Sequence, residues 1–316
     1  MFNLLANDGI DPIGKEILEK AGFTVDTNTV PQEQLAEALR AYDALTVRSA
    51  TKVRKELIDA CPNLKLIGRG GVGMDNIDVD YARSKGIAVV NTPAASSLSV
   101  AELVFAHLFS GVRFLQDANR AMPSKGATAF NELKKAYAKG IELRGKTIGI
   151  IGFGRIGRET AKLALGLGMD VIASDFSPVP ETLPLLLSGG VEVHVPVTAA
   201  SLETLLEQAD FISLHVPYTD KPILGAAEFA KMKTGAALVN CSRGGTVDEL
   251  ALLEALNSGK LAFAGLDVFE NEPTPRQEIL NHPKISLSPH IGASTNEAQE
   301  RIGAELAQLI IEQFNK

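Results

Sequence analysis

One stretch decides the fold of this chain: Lys146-Thr-Ile-Gly-Ile-Ile-Gly-Phe-Gly-Arg-Ile-Gly-Arg158. It starts as an apolar run typical of a buried strand, passes through a glycine-rich turn and continues as a helix. Gly152, Gly154 and Gly157 have the spacing G-x-G-x-x-G. The first glycine permits a tight turn, the second lets the backbone approach a pyrophosphate, and the third lets the helix pack closely on the strand. The amino-terminus of the helix offers N–H groups and partial positive charge to phosphates.

The residues after the motif indicate which coenzyme it would take. A second strand, Met169 to Ser174, ends at Asp175, which lies 18 residues after Gly157; the expected separation is about 20. A carboxylate there hydrogen-bonds the ribose hydroxyls of NAD and repels a 2′-phosphate. The next residues, Phe176 and Ser177, bring no arginine, so the sequence predicts NAD rather than NADP. The alternative is an ordinary β-α-β unit that binds no ligand.

The composition is that of a globular protein of about two domains. The net charge of −7 and a pI near 5.4 argue against a nucleic-acid partner. We find neither a signal peptide nor an apolar run of 18 residues, so we expect no membrane partner. Cys61 and Cys241 lack metal-ligand spacing, which predicts a cytoplasmic protein with no disulfide and no metal site.

Short apolar runs alternate with helical patterns over residues 1–96, which predicts an open parallel sheet. Gly22 and Gly86 stand just past two of these helices, where a left-handed cap is expected. Ser99-Val-Ala-Glu102 has the pattern of a capping box, so we expect it to open a long helix that leads into the second domain. The polar segment Pro123–Gly140 is expected to be an exposed excursion.

Beyond the glycine motif the pattern continues as strands and helices. A terminal helix, Thr295–Gln313, is expected to return to the first domain and to close a cleft between the two domains. The further strands are predicted at Val191–Val195, Phe211–Val216, Ala236–Asn240, Ala262–Asp267 and Ile285–Ser288.

Three polar residues follow predicted strands, where open α/β sheets bind their ligands. Arg243 could hold a substrate carboxylate in two parallel hydrogen bonds. His290 could accept the proton that remains when hydride leaves a C–OH group, and Glu272 could orient its ring. Each residue alone also has an ordinary structural interpretation. His215 is a rival base without an obvious carboxylate beside it, and His107 is predicted to be a core or interface histidine.

Further motifs accompany the glycine motif along almost the whole chain: Asn240-Cys-Ser-Arg-Gly-Gly-Thr-Val-Asp-Glu249, Gly265-Leu-Asp-Val-Phe-Glu270 and Ser288-Pro-His-Ile-Gly-Ala293. In this order they resemble the D-2-hydroxyacid dehydrogenase family. The resemblance implies an α/β fold of two doubly wound parallel-sheet domains. These would be a flavodoxin-like substrate domain at residues 1–96 and 290–316 and a Rossmann NAD-binding domain at residues 97–289. It also implies a homodimer built through the NAD-binding domain.

The resemblance also assigns the site. Arg243, Glu272 and His290 fall on the family's arginine, glutamate and acid/base histidine. NAD contacts, several through backbone atoms, are implied for Val72, Gly152, Gly154, Arg155, Ile156, Gly157, Asp175, His215, Val216, Pro217, Cys241, Ser242, Asp267, Gly292 and Ala293. Substrate contacts are implied for Arg48, Ser49, Arg69, Gly70, Gly71, Arg243 and His290, with backbone N–H groups contributed between Gly70 and Gly73.

Other motifs favour a substrate within the family: Leu45-Thr-Val-Arg-Ser-Ala-Thr-Lys-Val53, Ile67-Gly-Arg-Gly-Gly-Val-Gly-Met-Asp-Asn-Ile-Asp78 and Asn91-Thr-Pro93. They are similar to those of members that oxidise 3-phospho-D-glycerate. Arg48 and Arg69 would supply the positive charge that a phosphate needs in an acidic protein. The alternatives are a reductase of glyoxylate or hydroxypyruvate, and a dehydrogenase-like NAD(H)-sensing binding protein. Because the chain stops at Lys316, we expect no regulatory carboxy-terminal domain.

Overall fold

A computed structural model describes residues 2–315 and divides the chain into two compact units. Unit 1 contains the residues up to Ser99 together with those from Ala293 onward, and unit 2 is Val100–Gly292. Each boundary lies three residues after the predicted one, at 97 and 290. Met1 and Lys316, which the predicted domain limits include, lie outside the described residues.

The strands are short and mostly buried. They are β1 Phe2–Ala6, β2 Phe23–Asp26, β3 Ala44–Val47, β4 Leu66–Arg69, β5 Ala88–Asn91, β6 Thr147–Ile151, β7 Asp170–Ser174, β8 Thr182–Leu186, β9 Glu192–Pro196, β10 Thr198–Ala199, β11 Phe211–Leu214, β12 Ala236–Asn240, β13 Leu261–Leu266 and β14 Ile285–Leu287.

Helices connect most of these strands, and a 3₁₀ turn at Leu39–Ala41 extends the second helix. The helices are α1 Pro12–Lys20, α2 Leu35–Ala38, α3 Lys55–Ala60, α4 Val79–Ser84, α5 Ser97–Val112, α6 Leu115–Lys125, α7 Phe130–Ala136, α8 Arg155–Gly166, α9 Leu202–Gln208, α10 Ala226–Lys231, α11 Glu249–Asn257, α12 Gln277–Asn281 and α13 Asn296–Phe314.

Unit 1 contains a five-stranded parallel sheet of order β2-β1-β3-β4-β5. This is the flavodoxin-like order, so the predicted fold of this unit is confirmed. Gly22 and Gly86 have φ of +92° and +81°, the left-handed conformation expected after α1 and α4.

The terminal helix α13 packs within unit 1, as predicted. Leu306 and Ile310 join the apolar cluster around Leu4, on one face of the sheet. The axis of α13 comes close to α1 because both helices carry a glycine at the contact. A methyl group added to Gly14 would lie 2.6 Å from the carbonyl oxygen of Gly303.

Unit 2 contains a seven-stranded parallel sheet of order β10-β7-β6-β11-β12-β13-β14. This is the Rossmann order, in which the direction of strand addition reverses beside the first strand of the unit, here β6. The glycine-rich turn follows β6 at that reversal, where a ligand-binding crevice is expected. Both faces of the sheet are covered by apolar clusters, with Ile148 and Ile150 on one side and Ile212 and Leu238 on the other.

The strand predicted at Val191–Val195 is present, but it lies outside the main sheet. It is β9, which pairs antiparallel with β8 as a separate two-stranded sheet. The loop between them contains Gly189 and Gly190, both left-handed with φ of +90° and +82°. Most of β9 is exposed, so it has no buried face to pack in the main sheet. The edge of that sheet is instead formed by the two-residue strand β10.

The prediction that a capping box at Ser99 opens the long helix is wrong. Helix α5 begins at Ser97, two residues earlier, so Ser99 lies inside its first turn. The Ser99 hydroxyl instead forms a hydrogen bond of 2.8 Å with the hydroxyl of Thr295, the residue that caps α13.

The polar segment Pro123–Gly140 is exposed as predicted, but much of it is helical, in α6 and α7. Phe114 separates α5 from α6 with a left-handed φ of +55°. Within residues 2–315, no single helix is long and apolar enough to cross a membrane; α5 and α6 together would be, by length and composition alone, but they are bent by 56°.

Candidate active site

The glycine-rich turn has the geometry that a dinucleotide requires. Gly152 has φ of +90°, and a methyl group there would overlap the carbonyl oxygen of His215. A methyl group on Gly157 would overlap the carbonyl oxygen of Gly152, so this glycine permits close helix packing. Gly154 has open space where a side chain would stand. Backbone can therefore approach a phosphate at the start of α8, where Arg155 is exposed.

Asp175 stands beside this turn. One carboxylate oxygen accepts a hydrogen bond from the N–H of Phe153 and the other accepts from the N–H of Ser177 at 2.7 Å. The residue is exposed at the end of β7, so its carboxylate is oriented and still open to a ribose. The turn and this carboxylate together fit NAD.

The structure brings His290 and Glu272 together. The Nδ1 atom of His290 lies 2.8 Å from Oε2 of Glu272, and the other carboxylate oxygen accepts from the N–H of Phe269. Burial, the largest single effect, raises the pKa of Glu272, whereas its hydrogen bond with His290 and the charge of that ring lower it. The Phe269 N–H and the nearby Arg243 guanidinium add to the lowering, so the net pKa of Glu272 lies below its ordinary value.

Arg243 projects from the turn that follows β12. The Asn240 side chain braces this turn by donating to the carbonyl of Arg243 at 3.1 Å and accepting from the N–H of Ser242 at 3.0 Å. The guanidinium donates to the Ser242 carbonyl at 2.7 Å. The three predicted chemical residues therefore follow neighbouring strands at one edge of the unit 2 sheet, with a cation, a carboxylate and an imidazole in one place.

Asp267 is fully buried behind His290. Its Oδ1 accepts from the Ser288 hydroxyl at 2.6 Å and from the N–H of Ile291 at 2.8 Å, and its Oδ2 accepts from the N–H of Gly292 at 2.8 Å. The resemblance places this residue among the NAD contacts. Within the chain, its carboxylate holds the segment that carries His290.

His215 has no carboxylate partner among the described residues. Its Nε2 lies 2.9 Å from the Ser213 hydroxyl, and burial lowers the pKa of His215 to about 3. His107 is a satisfied core histidine, as predicted, with both ring nitrogens bound to serine hydroxyls.

Most of the other residues of unit 2 that are predicted to contact NAD lie just past the carboxyl ends of its strands. Val216 and Pro217 follow β11, whereas Cys241 and Ser242 follow β12 and are buried. Ile156 is in the first turn of α8, and Gly292 is held by Asp267. In unit 1, the carbonyls of Val72 and Ala293 accept from the side chains of Asn91 and Gln299, respectively.

A pair of glutamates beside the site was not predicted. The N–H of Glu270 donates to the Glu249 carboxylate, and the N–H of Glu249 donates to the Glu270 carboxylate, at 2.9 and 3.0 Å. Arg276 forms an ion pair with Glu270 at 3.2 Å. Burial raises the pKa of Glu249. These bonds tie the start of α11 to the loop that carries Glu272, a contact between distant residues for which the sequence has no local signal.

Unit 1 contains the other predicted substrate residues, which come from the turns after β3 and β4. The turn that carries Arg48 is fixed by Asp8, whose carboxylate accepts from the Arg48 N–H at 2.7 Å. Arg48 and Gly70 line a pocket of about 250 Å³ beside β3 and β4. Ser49 is exposed.

Two glycines after β4 use their backbone N–H groups for hydrogen bonds within the fold. The N–H of Gly70 donates to the carbonyl of Val47, and that of Gly71 donates to the carbonyl of Arg69. The Arg69 guanidinium lies over Gly71, where a side chain would overlap it. Of the four backbone N–H groups predicted for substrate, those of Gly70 and Gly71 therefore have other acceptors.

Comparison with known proteins identifies the family of this chain. Residues 105–292 match the family model for the D-isomer specific 2-hydroxyacid dehydrogenase NAD binding domain. The chain belongs to this family. It is accordingly an NAD-dependent D-2-hydroxyacid dehydrogenase, in which the coenzyme, when bound, takes up or gives back the hydride.

Two relatives show how members of this dehydrogenase family differ. The chain is 43% identical to a hydroxypyruvate reductase of Thermotoga maritima, covering 96% of each chain. It is 42% identical to a D-3-phosphoglycerate dehydrogenase of Methanocaldococcus jannaschii, covering 98% of this chain but only 57% of that protein. Among solved structures, D-lactate dehydrogenase from Aquifex aeolicus complexed with NAD and lactic acid has a TM-score of 0.78 and 30% identity, covering 99% of this chain and 97% of that one.

Proposed function

We propose that this dehydrogenase oxidises 3-phospho-D-glycerate to 3-phosphohydroxypyruvate, the first step of L-serine biosynthesis. The observation that carries the proposal is a pair of arginines in unit 1. Arg69 ends β4 opposite Val47 of β3, and Arg48 comes directly after Val47. Two guanidinium groups at the ends of neighbouring strands suit a phosphate, which accepts several charge-assisted hydrogen bonds.

Arg243, Glu272 and His290 would carry out the chemistry in unit 2. Arg243 binds the substrate carboxylate and polarises the oxygen on C2. His290 accepts the hydroxyl proton through Nε2, because its Nδ1 faces Glu272 at 2.8 Å. The Glu272 carboxylate then stabilises the charged ring and keeps it oriented.

A second substrate class competes with the first. The Thermotoga maritima relative, at 43% identity, is a hydroxypyruvate reductase, and the Methanocaldococcus jannaschii relative, at 42% identity, is a D-3-phosphoglycerate dehydrogenase, so both substrate classes are matched about equally well. Reduction of unphosphorylated hydroxypyruvate or glyoxylate would use the same three residues. It would leave Arg48 without a phosphate to bind.

Steady-state kinetics with the purified protein and NADH separate these two functions. We expect 3-phosphohydroxypyruvate to exceed hydroxypyruvate in kcat/KM by about a hundredfold, which corresponds to about 2.7 kcal/mol of transition-state binding. Arg48→Ala should remove most of that preference. Arg40→Ala is the matched control, because Arg40 is exposed in the same unit but precedes β3. Equal rates with both substrates in the wild type would assign the protein to the second class.

We also propose that the protein is a homodimer formed through unit 2. Large apolar side chains are exposed between the end of α5 and the segment that follows α7: Phe109, Leu115, Met122, Phe130 and Ile141. Such a concentration is typical of a surface covered by another chain. The cytoplasm remains the proposed compartment, and a reducing medium suits Cys61 and Cys241, which are both free and buried.

A further inference from the structure

His107 is an unusual residue for the middle of an apolar helix. It lies on α5, is only 4% exposed and uses both ring nitrogens. Nδ1 lies 2.9 Å from the hydroxyl of Ser286, and Nε2 lies 2.9 Å from the hydroxyl of Ser288. Ser286 is in β14 and Ser288 directly follows it, so the ring connects α5 with the edge strand of the sheet.

The hydrogen bonds determine which nitrogen carries the proton. The Ser288 hydroxyl donates its one hydrogen to Oδ1 of Asp267 at 2.6 Å. It must therefore accept from His107, so Nε2 carries a hydrogen. Burial lowers the pKa of His107 while the Asp267 charge raises it, and the net shift is downward, which favours the neutral ring. In the neutral ring Nδ1 carries no hydrogen, so it accepts from the Ser286 hydroxyl.

The chain of hydrogen bonds continues from Asp267 to three consecutive backbone amides. The carbonyl of Asp267 accepts from the N–H of His290 at 2.8 Å, and its carboxylate accepts from those of Ile291 and Gly292. His290 has a left-handed φ of +54°. A non-glycine residue keeps that conformation only when its surroundings enforce it.

We propose that His107 is a positioning residue for the reaction. Through Ser288 it orients the Asp267 carboxylate, and Asp267 holds the backbone of residues 290–292 so that the His290 ring faces Glu272. His107 is buried and both its ring nitrogens are bonded to serine hydroxyls, so we expect it to act through these contacts alone. The inference rests on the proposed role of His290 as the proton acceptor.

His107→Leu tests the link by replacing the imidazole with an apolar side chain of similar size, which removes both hydrogen bonds. We expect kcat to fall on the order of tenfold or more, because small displacements of a reacting group are costly, while KM for NADH changes less than twofold. His107→Gln should restore most of kcat, because an amide can donate to Ser288 and accept from Ser286. Leu108→Ala is the matched control: it removes a buried side chain of the same helix, so it should lower Tm and leave kcat unchanged.

A double-mutant cycle and a spectrum complete the test. Ser288→Ala should lower kcat as His107→Leu does. The double variant should have a kcat no lower than that of either single variant, since both substitutions break the same series of hydrogen bonds. Nitrogen-15 NMR of labelled histidine should show His107 neutral at pH 7 with hydrogen on Nε2. An unchanged kcat in both single variants, or hydrogen on Nδ1 instead, would overturn the proposal.

The two proposals fail differently. If His290→Gln keeps full activity, His290 is not the proton acceptor and the proposed chemistry is wrong. If His290→Gln loses activity but His107→Leu folds and keeps the kcat of the wild type, only the role of His107 is wrong. Should His107→Leu not fold, Ser288→Ala and the spectrum of the wild type decide the question.

Discussion

The proposed proton transfer depends directly on the carboxylate of Glu272, which faces the ring of His290. Although it is partly buried, its pKa is lowered, chiefly by His290. Glu272→Gln would keep the shape and could still bind the ring, but it would lose the charge that stabilises a protonated imidazole. We expect kcat to fall about a hundredfold with little change in KM for NADH. Glu278→Gln, at an exposed position of α12, should have no effect; equal losses in the two variants would contradict the pairing.

The buried His107 links stability to pH. Its folded-state pKa is lowered, whereas in the unfolded chain it titrates near its ordinary value of about 6.5. Below that pH the unfolded state binds more protons, so the stabilisation present at neutral pH is lost as the pH falls. Asp267 opposes the shift, which limits the effect. We expect urea denaturation to show a smaller loss of unfolding free energy between pH 7 and pH 5 in His107→Gln than in the wild type. Parallel losses would refute this.

The positions of the three chemical residues could be predicted only as a set, because all three follow strands in the sequence; their chemical roles stay a prediction. Arg243, Glu272 and His290 needed only the rule that ligands bind beyond the carboxyl ends of parallel strands. The residues that hold them could not be predicted in the same way. His107 and Asp267 meet through Ser288, and Glu249 meets Glu270, because distant segments come together in the folded protein.

At the scale of elements, the contact between α1 and α13 leaves no room for a side chain. A methyl group on Gly14 would meet the backbone carbonyl of Gly303, which cannot move without shifting the helix. We therefore expect Gly14→Ala to destabilise unit 1 by about 1–3 kcal/mol and to lower Tm. Gly166→Ala is the control, since nothing lies within 4 Å of a methyl group at the end of α8. It should be neutral or stabilising by up to about 1 kcal/mol, and similar Tm losses in both variants would contradict a specific clash.

The sequence predicted elements best where burial follows a simple pattern. The apolar runs of β1, β6, β11 and β12 are nearly continuous, as buried parallel strands require. It failed where exposed segments pair only with each other, as in the hairpin of β8 and β9. The sequence also misplaced the start of α5 at Ser99. The Ser99 hydroxyl does not cap α5 in the folded chain, because it forms a hydrogen bond with Thr295, almost 200 residues away.

At the scale of the whole molecule, the exposed apolar residues of α5 to α7 predict the state of association. Leu115 is 61% exposed, and Phe130 is 57% exposed. We expect light scattering after size exclusion to give twice the chain mass for the wild type and a lower mass for Leu115→Asp. Leu187→Asp, an exposed apolar position in the β8–β9 hairpin, should leave the mass unchanged. A wild type that is monomeric at micromolar concentration would exclude the dimer.

Unit 1 is formed by two separate stretches of the chain with unit 2 between them, and this affects how the protein folds during synthesis. A ribosome completes β1 to β5 and then makes all of unit 2 before it reaches α13. At 5–20 residues per second, these roughly 200 residues take roughly 10 to 40 s. During that time the apolar surface around Leu4 and Leu66 lacks the helix that covers it. Unit 2, which is continuous, can therefore fold first, and nascent unit 1 is the part of this protein that most needs a chaperone.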